Sequence, residues 1–331
     1  MRIRFLAILF GILCFSHLAI ASDDFASRPD VKTFINQMVK KHQFKQSELV
    51  TLFNAVKVRP AVMQSINAPL EQKPWYTYQM LFVSEWRVRQ GVEFWNTYHD
   101  ALARAEKTYG VPASIIVATI GLETKYGKHT GTYRVIDALA NIAFSGSKRA
   151  PYFKSELEQF LLLAREEHLD PLKVMGSYAG AIGQPQFMPS SYRNYAVNFS
   201  GNPKIDLSNN EIDVIGSIAN YYNKHGWAYN QPVALPVSLK DNKFQALLQE
   251  PNYPHFSQLD LAKYGIVPNQ KFMPNQKIKL IELQGYYGKE YWLGFPNFYV
   301  IKRYNSSDLY AMAIFQLSYY ISTLREKLDN A

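Results

Sequence analysis

Apolar residues recur at three- and four-residue spacing from about residue 30 to residue 109, a pattern typical of short amphipathic helices. Phe34, Met38 and Val39 show this spacing, and Ser47 is a predicted N-cap before another apolar group. One longer helix is predicted over residues 85–109. The shorter helices are expected to be separated by prolines, at Pro60, Pro69 and Pro74. The pattern therefore predicts a helical N-terminal region.

The pattern changes after residue 109. Residues 110–230 keep the helical spacing but are rich in glycine, whereas later residues form short apolar runs between turn residues. Strands are predicted at 233–239, 278–283 and 298–301, and a final helix at 307–328. We expect a mainly α (α+β) fold with an N-terminal helical domain (22–109), a helical core (110–230), a small β-rich insertion (231–303) and a C-terminal helix (304–331) that returns to the helical body.

Composition narrows the class of protein. The 331-residue chain is 47% hydrophobic, which excludes a disordered protein. Its net charge is +9, but the basic residues are dispersed and no nucleic-acid motif accompanies them, so no nucleic-acid partner is expected. The charge indicates either a solvated surface or a polyanionic substrate. A single cysteine excludes a disulfide scaffold, and the histidines lack the helical pair spacing of zinc hydrolases.

The first 21 residues have the pattern of an export signal. Arg2 and Arg4 precede an apolar run over residues 5–15, and Ala21 ends a small-x-small cleavage site. An uncleaved membrane anchor is the alternative, but the run is short against the roughly 20 apolar residues that span a bilayer. Leu13 stands where a lipoprotein signal has a small residue before the cysteine, so Cys14 is not expected to be lipidated. We predict an exported, periplasmic protein that is soluble after cleavage.

One glutamate falls on an apolar helix face. A helix is predicted to start at Pro112, and Ile116, Thr119, Ile120 and Glu123 share one face of it. Buried glutamates are rare unless they are paired, and desolvation would keep one protonated near neutral pH. A general acid that cleaves a glycosidic bond needs that property. A structural ion pair, or a helix end that emerges into water, would give the same pattern.

A second unusual segment covers residues 176–192. Small residues at 176, 180 and 183 permit close packing of the backbone or close approach of a ligand. Gln186 and Phe187 combine a hydrogen-bonding amide with a ring, which suits a sugar. A helix is predicted to start at Pro189. The alternative is a tight corner that binds no ligand.

These residues together resemble a known family. The runs Glu123-Thr124-Lys125-Tyr126-Gly127, His225-Gly226-Trp227 and Arg303-Tyr304-Asn305, with the 176–192 segment, resemble the B-type lytic murein transglycosylases, glycoside hydrolase family 103. The similarity extends from about residue 25 to residue 323. It implies a lysozyme-like core and cleavage of the β-1,4 bond between N-acetylmuramic acid (MurNAc) and N-acetylglucosamine (GlcNAc) in peptidoglycan without water, which leaves a 1,6-anhydro sugar.

The resemblance also implies roles for particular residues. Glu123 would be the catalytic acid and then the base, with glycan strands as the partner and a monomer expected. The central sugar subsites would be lined by Ser177, Gln186, Phe187 and Tyr221. The opposite wall would hold Tyr304, Asn305 and Tyr310, and Arg149 and Tyr152 would lie further along the groove.

The number of carboxylates bears on the mechanism. A two-carboxylate glycosidase needs a second acid beside the first. The nearest candidates in sequence are Asp137 and Glu156, and Asp137 is predicted to be a helix N-cap. A single acid favours internal attack by the substrate's own C6 hydroxyl. A hydrolytic muramidase and a non-catalytic peptidoglycan-binding scaffold remain the alternative functions.

Members of the resembled family can bind calcium in the loop that here covers residues 198–213. The ligands would be Asn198, Ser200, Asn202 and Asp213. Asparagine replaces aspartate at the first and third positions, and Pro203 stands where glycine is expected, so the site carries little negative charge. We therefore expect a plain surface turn and no required cofactor, with weak calcium binding as the alternative.

Overall fold

The computed structural model describes residues 24–66, 72–248, 257–272 and 276–331. The predicted signal peptide, including Cys14 and the cleavage site after Ala21, lies outside the described residues, as does the predicted break at Pro69. The chain divides into two compact units, with the boundary between Val56 and Lys57.

The first unit contains a 3-10 turn and two helices. The turn is Phe25–Ser27, and the helices are α1 (Pro29–His42) and α2 (Gln46–Asn54). Phe34 and Phe53 form an edge-to-face ring pair 5.9 Å apart in its core. The predicted N-cap Ser47 is wrong: the helix starts one residue earlier, at Gln46, and Lys45 occupies the cap with extended backbone.

The second unit contains the remaining helices. They are α3 (Pro60–Ile66), α4 (Trp75–Phe82), α5 (Glu85–Thr97), α6 (His99–Tyr109), α7 (Ala113–Thr124), α8 (Val135–Ala143), α9 (Ala150–Glu166), α10 (Pro189–Tyr195), α11 (Glu211–Lys224), α12 (Gln245–Leu248), α13 (Gln258–Leu261), α14 (Pro296–Ile301) and α15 (Asp308–Asp329). Helix α7 lies in the middle, since α5, α6, α11 and α15 all pack against it.

Some helix boundaries in this unit differ from those that the sequence predicts. The single helix predicted over 85–109 is interrupted at Tyr98, which leaves helical geometry (φ −110°, ψ 26°) and packs its ring against Phe94. The start of α10 at Pro189 agrees with the sequence, and the final helix begins at Asp308, one residue after the predicted 307, with Ser307 as its N-cap. Ser307 accepts hydrogen bonds from the first free amides of α15, which fixes where that helix begins.

The β-structure is antiparallel. A two-stranded pair joins β1 (Tyr133–Arg134) and β2 (Met175–Gly176). A four-stranded sheet has the order β4-β3-β6-β5, formed by β3 (Ala234–Leu239), β4 (Ile266–Pro268), β5 (Lys279–Gly285) and β6 (Gly288–Gly294). The core beside it includes Leu280 and Leu293 from the strands and Phe244 and Phe295 from the adjoining segments.

The strand predicted at residues 298–301 is wrong, because these residues belong to α14. A short apolar run fits a buried helix as well as a buried strand, and Pro296 at the first helical position decides between them. The predicted mainly α fold with a small β-rich insertion is confirmed. In the part of the chain that is described, no helix has both the length and the apolar character needed to cross a bilayer.

Candidate active site

Glu123 lies near the C-terminal end of the central helix α7, where the helix is partly exposed. Of the twelve described residues of α7, ten are buried, and only Ser114 and Glu123 are partly exposed. The helix is therefore buried on all sides. The predicted face is buried at Ile116, Thr119 and Ile120, whereas Glu123 is partly exposed, as the alternative of a helix end that emerges into water expects. Other helices enclose α7. A substrate can therefore approach the Glu123 carboxyl group from the side on which that residue is exposed.

The hydroxyl of Tyr310 holds this carboxyl group. Tyr310 Oη donates to Glu123 Oε1 at 2.6 Å, and the tyrosine is only 2% exposed. Burial raises the pKa of Tyr310 well above its ordinary value, and the negative charge of Glu123 raises it further. Tyr310 therefore stays a neutral donor. Ser307 caps α15 one turn away and so places Tyr310 in its first turn.

Three further rings adjoin this pair. The ring of Tyr304 stacks on Tyr310 at 6.3 Å and lies 4.7 Å from Tyr221 and 5.8 Å from Phe187. The two tyrosine hydroxyls donate to backbone carbonyls, Tyr304 at 2.5 Å to Pro185 and Tyr221 at 2.6 Å to Arg303. Burial raises the pKa of both Tyr304 and Tyr221. Phe187 (2% exposed) and Tyr221 (6% exposed) are buried and Tyr304 is partly exposed, so these rings pack mainly against one another.

The glycine-rich segment forms a tight corner beside these rings. Ser177 Oγ accepts hydrogen bonds from the amides of Ala179 (3.2 Å) and Ala181 (3.0 Å). Gln186 donates its side-chain amide to the carbonyls of Thr130 (3.0 Å) and Gly183 (2.9 Å). Both predicted site residues thus help to shape the corner.

Glycine is required at position 183 of this corner. Its φ is +70°, and a Cβ there would lie 2.4 Å from the carbonyl oxygen of Leu207.

The other predicted residues lie in two places. Asn305 Oδ1 accepts from the amide of Ser307 at 3.1 Å, so it helps to start α15. Tyr152 on α9 is 49% exposed and lies close enough to Tyr221 to raise the pKa of that residue. Burial, with help from Glu156, raises the pKa of Tyr152 to about 12. Arg149 precedes α9, with its guanidinium 5.2 Å from the ring of Phe153.

The two candidate second carboxylates hold the fold together. Asp137 is fully buried and accepts from Arg134 (2.6 Å) and from the amide of Lys57 (3.0 Å). The prediction that it caps a helix is wrong, because it lies in the first turn of α8, whose N-cap is Arg134. Glu156 is 4% exposed and accepts from the amide (2.9 Å) and hydroxyl (2.7 Å) of Ser190.

The chain after Glu123 has an unusual backbone. Lys125 (φ 52°), Tyr126 (φ 59°) and Gly127 (φ 80°) all adopt the left-handed conformation. This costs about 1–2 kcal/mol for each residue that carries a Cβ. The left-handed turn was not predicted, since lysine and tyrosine give no signal for it. Arg87 of α5, which is 7% exposed and donates to the carbonyl of Gly121 at 3.1 Å, was also missed.

The loop over residues 198–213 is closed by its own hydrogen bonds. Asp213 is fully buried, and its carboxylate accepts from the amides of Phe199 (2.8 Å), Ser200 (2.8 Å) and Asp206 (3.1 Å). Asn198 Oδ1 accepts from the amide of Gly201 at 2.8 Å. Side-chain oxygens of Asn198, Ser200 and Asp213, three of the four predicted ligands, are thus used in closing the loop. Across the described ranges, no group of three or more His, Cys, Asp or Glu residues could hold a metal.

Comparison with known proteins places this geometry among related chains. A family model described as the transglycosylase SLT domain matches residues 26–319. The chain is 42% identical over 317 residues to membrane-bound lytic murein transglycosylase B of Escherichia coli K12, covering 91% of this chain and 85% of that protein.

Two solved structures are also similar. Catenated lytic transglycosylase SltB1 of Pseudomonas aeruginosa has a TM-score of 0.86 at 43% identity, covering 91% of this chain and all of that chain. SltB3 of the same organism, solved with NAG-NAM-pentapeptide, has a TM-score of 0.76 at 28% identity, covering 87% of this chain and 77% of that one.

Proposed function

The chain belongs to the transglycosylase SLT domain family, and from that premise we propose that Glu123 performs the lytic reaction as acid and then as base. The protein is a lytic transglycosylase that acts on peptidoglycan. The proposed reaction breaks the β-1,4 bond between MurNAc and GlcNAc and leaves a 1,6-anhydroMurNAc end. The observation that carries the proposal is the hydrogen bond from Tyr310 to Glu123 at the partly exposed C-terminal end of a buried helix.

In the first step, protonated Glu123 gives its proton to the glycosidic oxygen and the bond from that oxygen to C1 of MurNAc breaks. The carbonyl oxygen of the substrate's own acetamido group stabilises the positive charge that develops at C1. Glu123 is left as a carboxylate, and the Tyr310 hydroxyl, which donates to Oε1, stabilises that new charge.

In the second step, the Glu123 carboxylate removes the proton from the C6 hydroxyl of the same MurNAc. The C6 oxygen then forms its bond to C1. The acetamido carbonyl oxygen moves away from C1 while the group stays attached to the sugar, and Glu123 is protonated again. The two steps together neither consume nor release water. Ring closure is favoured because the attacking hydroxyl is tethered to the sugar that it attacks. The engagement of Asp137 and Glu156 in the fold supports a reaction with a single acid.

The partly exposed ring of Tyr304 is suited to contact the apolar face of a sugar beside the scissile bond, because its hydroxyl donates to a backbone carbonyl. The buried rings of Phe187 and Tyr221 pack against Tyr304 and support it. The SltB3 complex with a peptidoglycan fragment supports a glycan strand as the ligand. Ser177 and Gln186 shape the corner that carries Phe187, and Tyr152 and Arg149 would meet the strand further along.

We further propose that the protein works in the periplasm as a monomer, delivered there by the signal sequence over residues 1–21. The E. coli relative acts on murein, which lies outside the cytoplasm, and this supports export. Edman sequencing of the secreted protein should give Ser22 as the first residue, and light scattering should give the monomer mass. A first residue within the 1–21 segment, or a dimer mass, would contradict this part of the proposal.

The test is mass spectrometry of peptidoglycan digested by the wild type, by Glu123→Gln and by Glu93→Gln, a matched exposed glutamate on α5. Wild type and Glu93→Gln should release muropeptides that are lighter by one water and resist borohydride reduction, and Glu123→Gln should release none. Reducible products would show a hydrolytic muramidase instead. Glycan binding without any product from the wild type would show a scaffold.

A further inference from the structure

We infer that Tyr126 and Arg87 are positioning residues for the reaction, because together they clamp both sides of Glu123 to helix α5. This inference rests on the proposed role of Glu123 as the acid. It concerns two residues that lie beneath the catalytic helix and touch neither the rings nor the carboxyl group in the contacts described above.

The first observation is the turn itself. Three successive left-handed residues follow the catalytic helix, and two of them, Lys125 and Tyr126, carry side chains that disfavour this conformation. Two backbone bonds close the turn, from the amide of Lys125 to the carbonyl of Gly121 (3.2 Å) and from the amide of Tyr126 to the carbonyl of Ile120 (3.3 Å). Conformations of this kind persist when surrounding structure holds them, and they concentrate at functional sites.

The second observation shows what holds the turn. The side chain of Tyr126 enters a notch between α5 and α7, and its hydroxyl donates to the backbone carbonyl of Arg87 at 2.6 Å. Both walls of the notch are glycine: a Cβ at Gly121 would lie 2.4 Å from Tyr126 Oη, and one at Gly91 would lie 2.7 Å from it. The ring also lies 5.6 Å from Phe94 of α5. The two glycines therefore make room for the Tyr126 hydroxyl, and Gly91 also makes room for Ile321 of α15.

The third observation concerns the other side of Glu123. The guanidinium of Arg87 is buried and donates Nε–H to the carbonyl of Gly121 at 3.1 Å and a second N–H to the carbonyl of Leu81. A cation at the negative C-terminal end of a helix is electrostatically favourable. Its planar fork holds both carbonyls at fixed angles, which a lysine could not do.

These contacts constrain the reaction through position. Gly121 lies two residues before Glu123 and Tyr126 lies three residues after it, so α5 fixes the chain on both sides of the acid. The carboxyl group must meet both Tyr310 and the glycosidic oxygen, and a misplacement of about 1 Å costs roughly 100-fold in rate. Binding of the glycan depends on the rings instead, and these do not contact α5 in the described interactions.

The test compares two single-hydroxyl deletions, with a soluble GlcNAc–MurNAc tetrasaccharide as substrate. Tyr126→Phe keeps the ring in its notch and removes only the bond to Arg87. Tyr192→Phe is the matched control, because Tyr192 is buried and its hydroxyl likewise donates to a backbone carbonyl, that of Ile205 at 3.3 Å. We expect kcat to fall about tenfold in Tyr126→Phe with KM unchanged, and wild-type kcat in Tyr192→Phe, with similar melting temperatures for both.

Two further variants complete the design. Arg87→Lys keeps the positive charge without the fork, and its folded fraction should show the same loss of kcat at constant KM. Glu123→Gln in the same assay separates the two proposals: if it retains turnover, the proposed function fails. If Glu123→Gln is inactive while Tyr126→Phe and Tyr192→Phe have equal kcat, or if Tyr126→Phe changes only KM, the positioning role is overturned and the proposed function stands.

Discussion

Replacing Tyr310 with phenylalanine removes one hydroxyl group and leaves the ring, so it removes the hydrogen bond that Glu123 accepts at 2.6 Å, together with the hydroxyl's contact to Tyr222. The ring can keep its stacking on Tyr304, since that contact does not involve the hydroxyl. The site around Tyr310 is closed, with 2% of the residue exposed, so the lost donor has little access to replacement by water.

The size of the effect follows from the charge on Glu123. A hydrogen bond to a charged group contributes about 1.5–3 kcal/mol, and each 1.4 kcal/mol or so changes a rate about tenfold. The bond stabilises the carboxylate that forms when the proton leaves, so its loss raises the barrier of the first step. We expect kcat of Tyr310→Phe to fall about 10- to 100-fold, with a much smaller change in KM.

The pH profile gives a second signature with a defined sign. Without the donor, the carboxylate form of Glu123 loses a stabilising contact and the protonated form persists to higher pH. Because the first step needs protonated Glu123, the alkaline limb of the kcat profile should move to higher pH in Tyr310→Phe. Initial rates of tetrasaccharide cleavage between pH 4 and pH 9 would measure both effects together, with the range chosen to bracket ordinary glutamate ionisation at about 4.3.

The control is Tyr299→Phe. The hydroxyl of Tyr299 is buried and makes no hydrogen bond within the described structure, so its removal should leave kcat unchanged. If Tyr310→Phe keeps wild-type kcat and an unshifted profile while Glu123→Gln is inactive, Tyr310 does not act on the acid and the reasoning is wrong.

Three other outcomes follow from the structure. Gly183→Ala should lower the free energy of unfolding in urea by about 2 kcal/mol or more, because strain adds to a clash, whereas Gly146→Ala, at φ +71° with open space around it, should cost about 1 kcal/mol. Calcium chloride or EDTA should leave the melting temperature unchanged, because the 198–213 loop is closed by its own hydrogen bonds; a rise with calcium would refute this. Hydrogen bonds from Ser257, chiefly from its backbone amide and then from its hydroxyl, lower the pKa of Asp260 from an ordinary 3.8 to about 2. Asp260 therefore stabilises the fold above about pH 4, and this contribution disappears as the pH falls towards 2. Asp260→Asn should therefore lower the melting temperature at pH 6 and have no effect near pH 2, and an equal effect at both values would contradict the cause.

Several features of the site could be read from local sequence because their physical causes are local. Pro189 starts α10 and Ser307 caps α15, since a fixed φ and a side-chain acceptor act within one helical turn. The close approach at Gly183 is likewise a property of one residue's backbone. Glu123 could be singled out because a carboxylate in an apolar run is rare, and the neighbouring motifs then indicated the family.

The tertiary structure decided what those residues touch. Tyr310 lies 187 residues from Glu123 in sequence, and only the packing of α15 on α7 brings its hydroxyl to the carboxyl group. The same packing encloses α7, so no apolar stripe distinguishes one face from another. Asp137 was mistaken for a cap because its partner Lys57 is 80 residues away. Spacing within one helix predicts which residues share a face, whereas burial, ion pairs and the clamp on Glu123 depend on helices that meet only after folding.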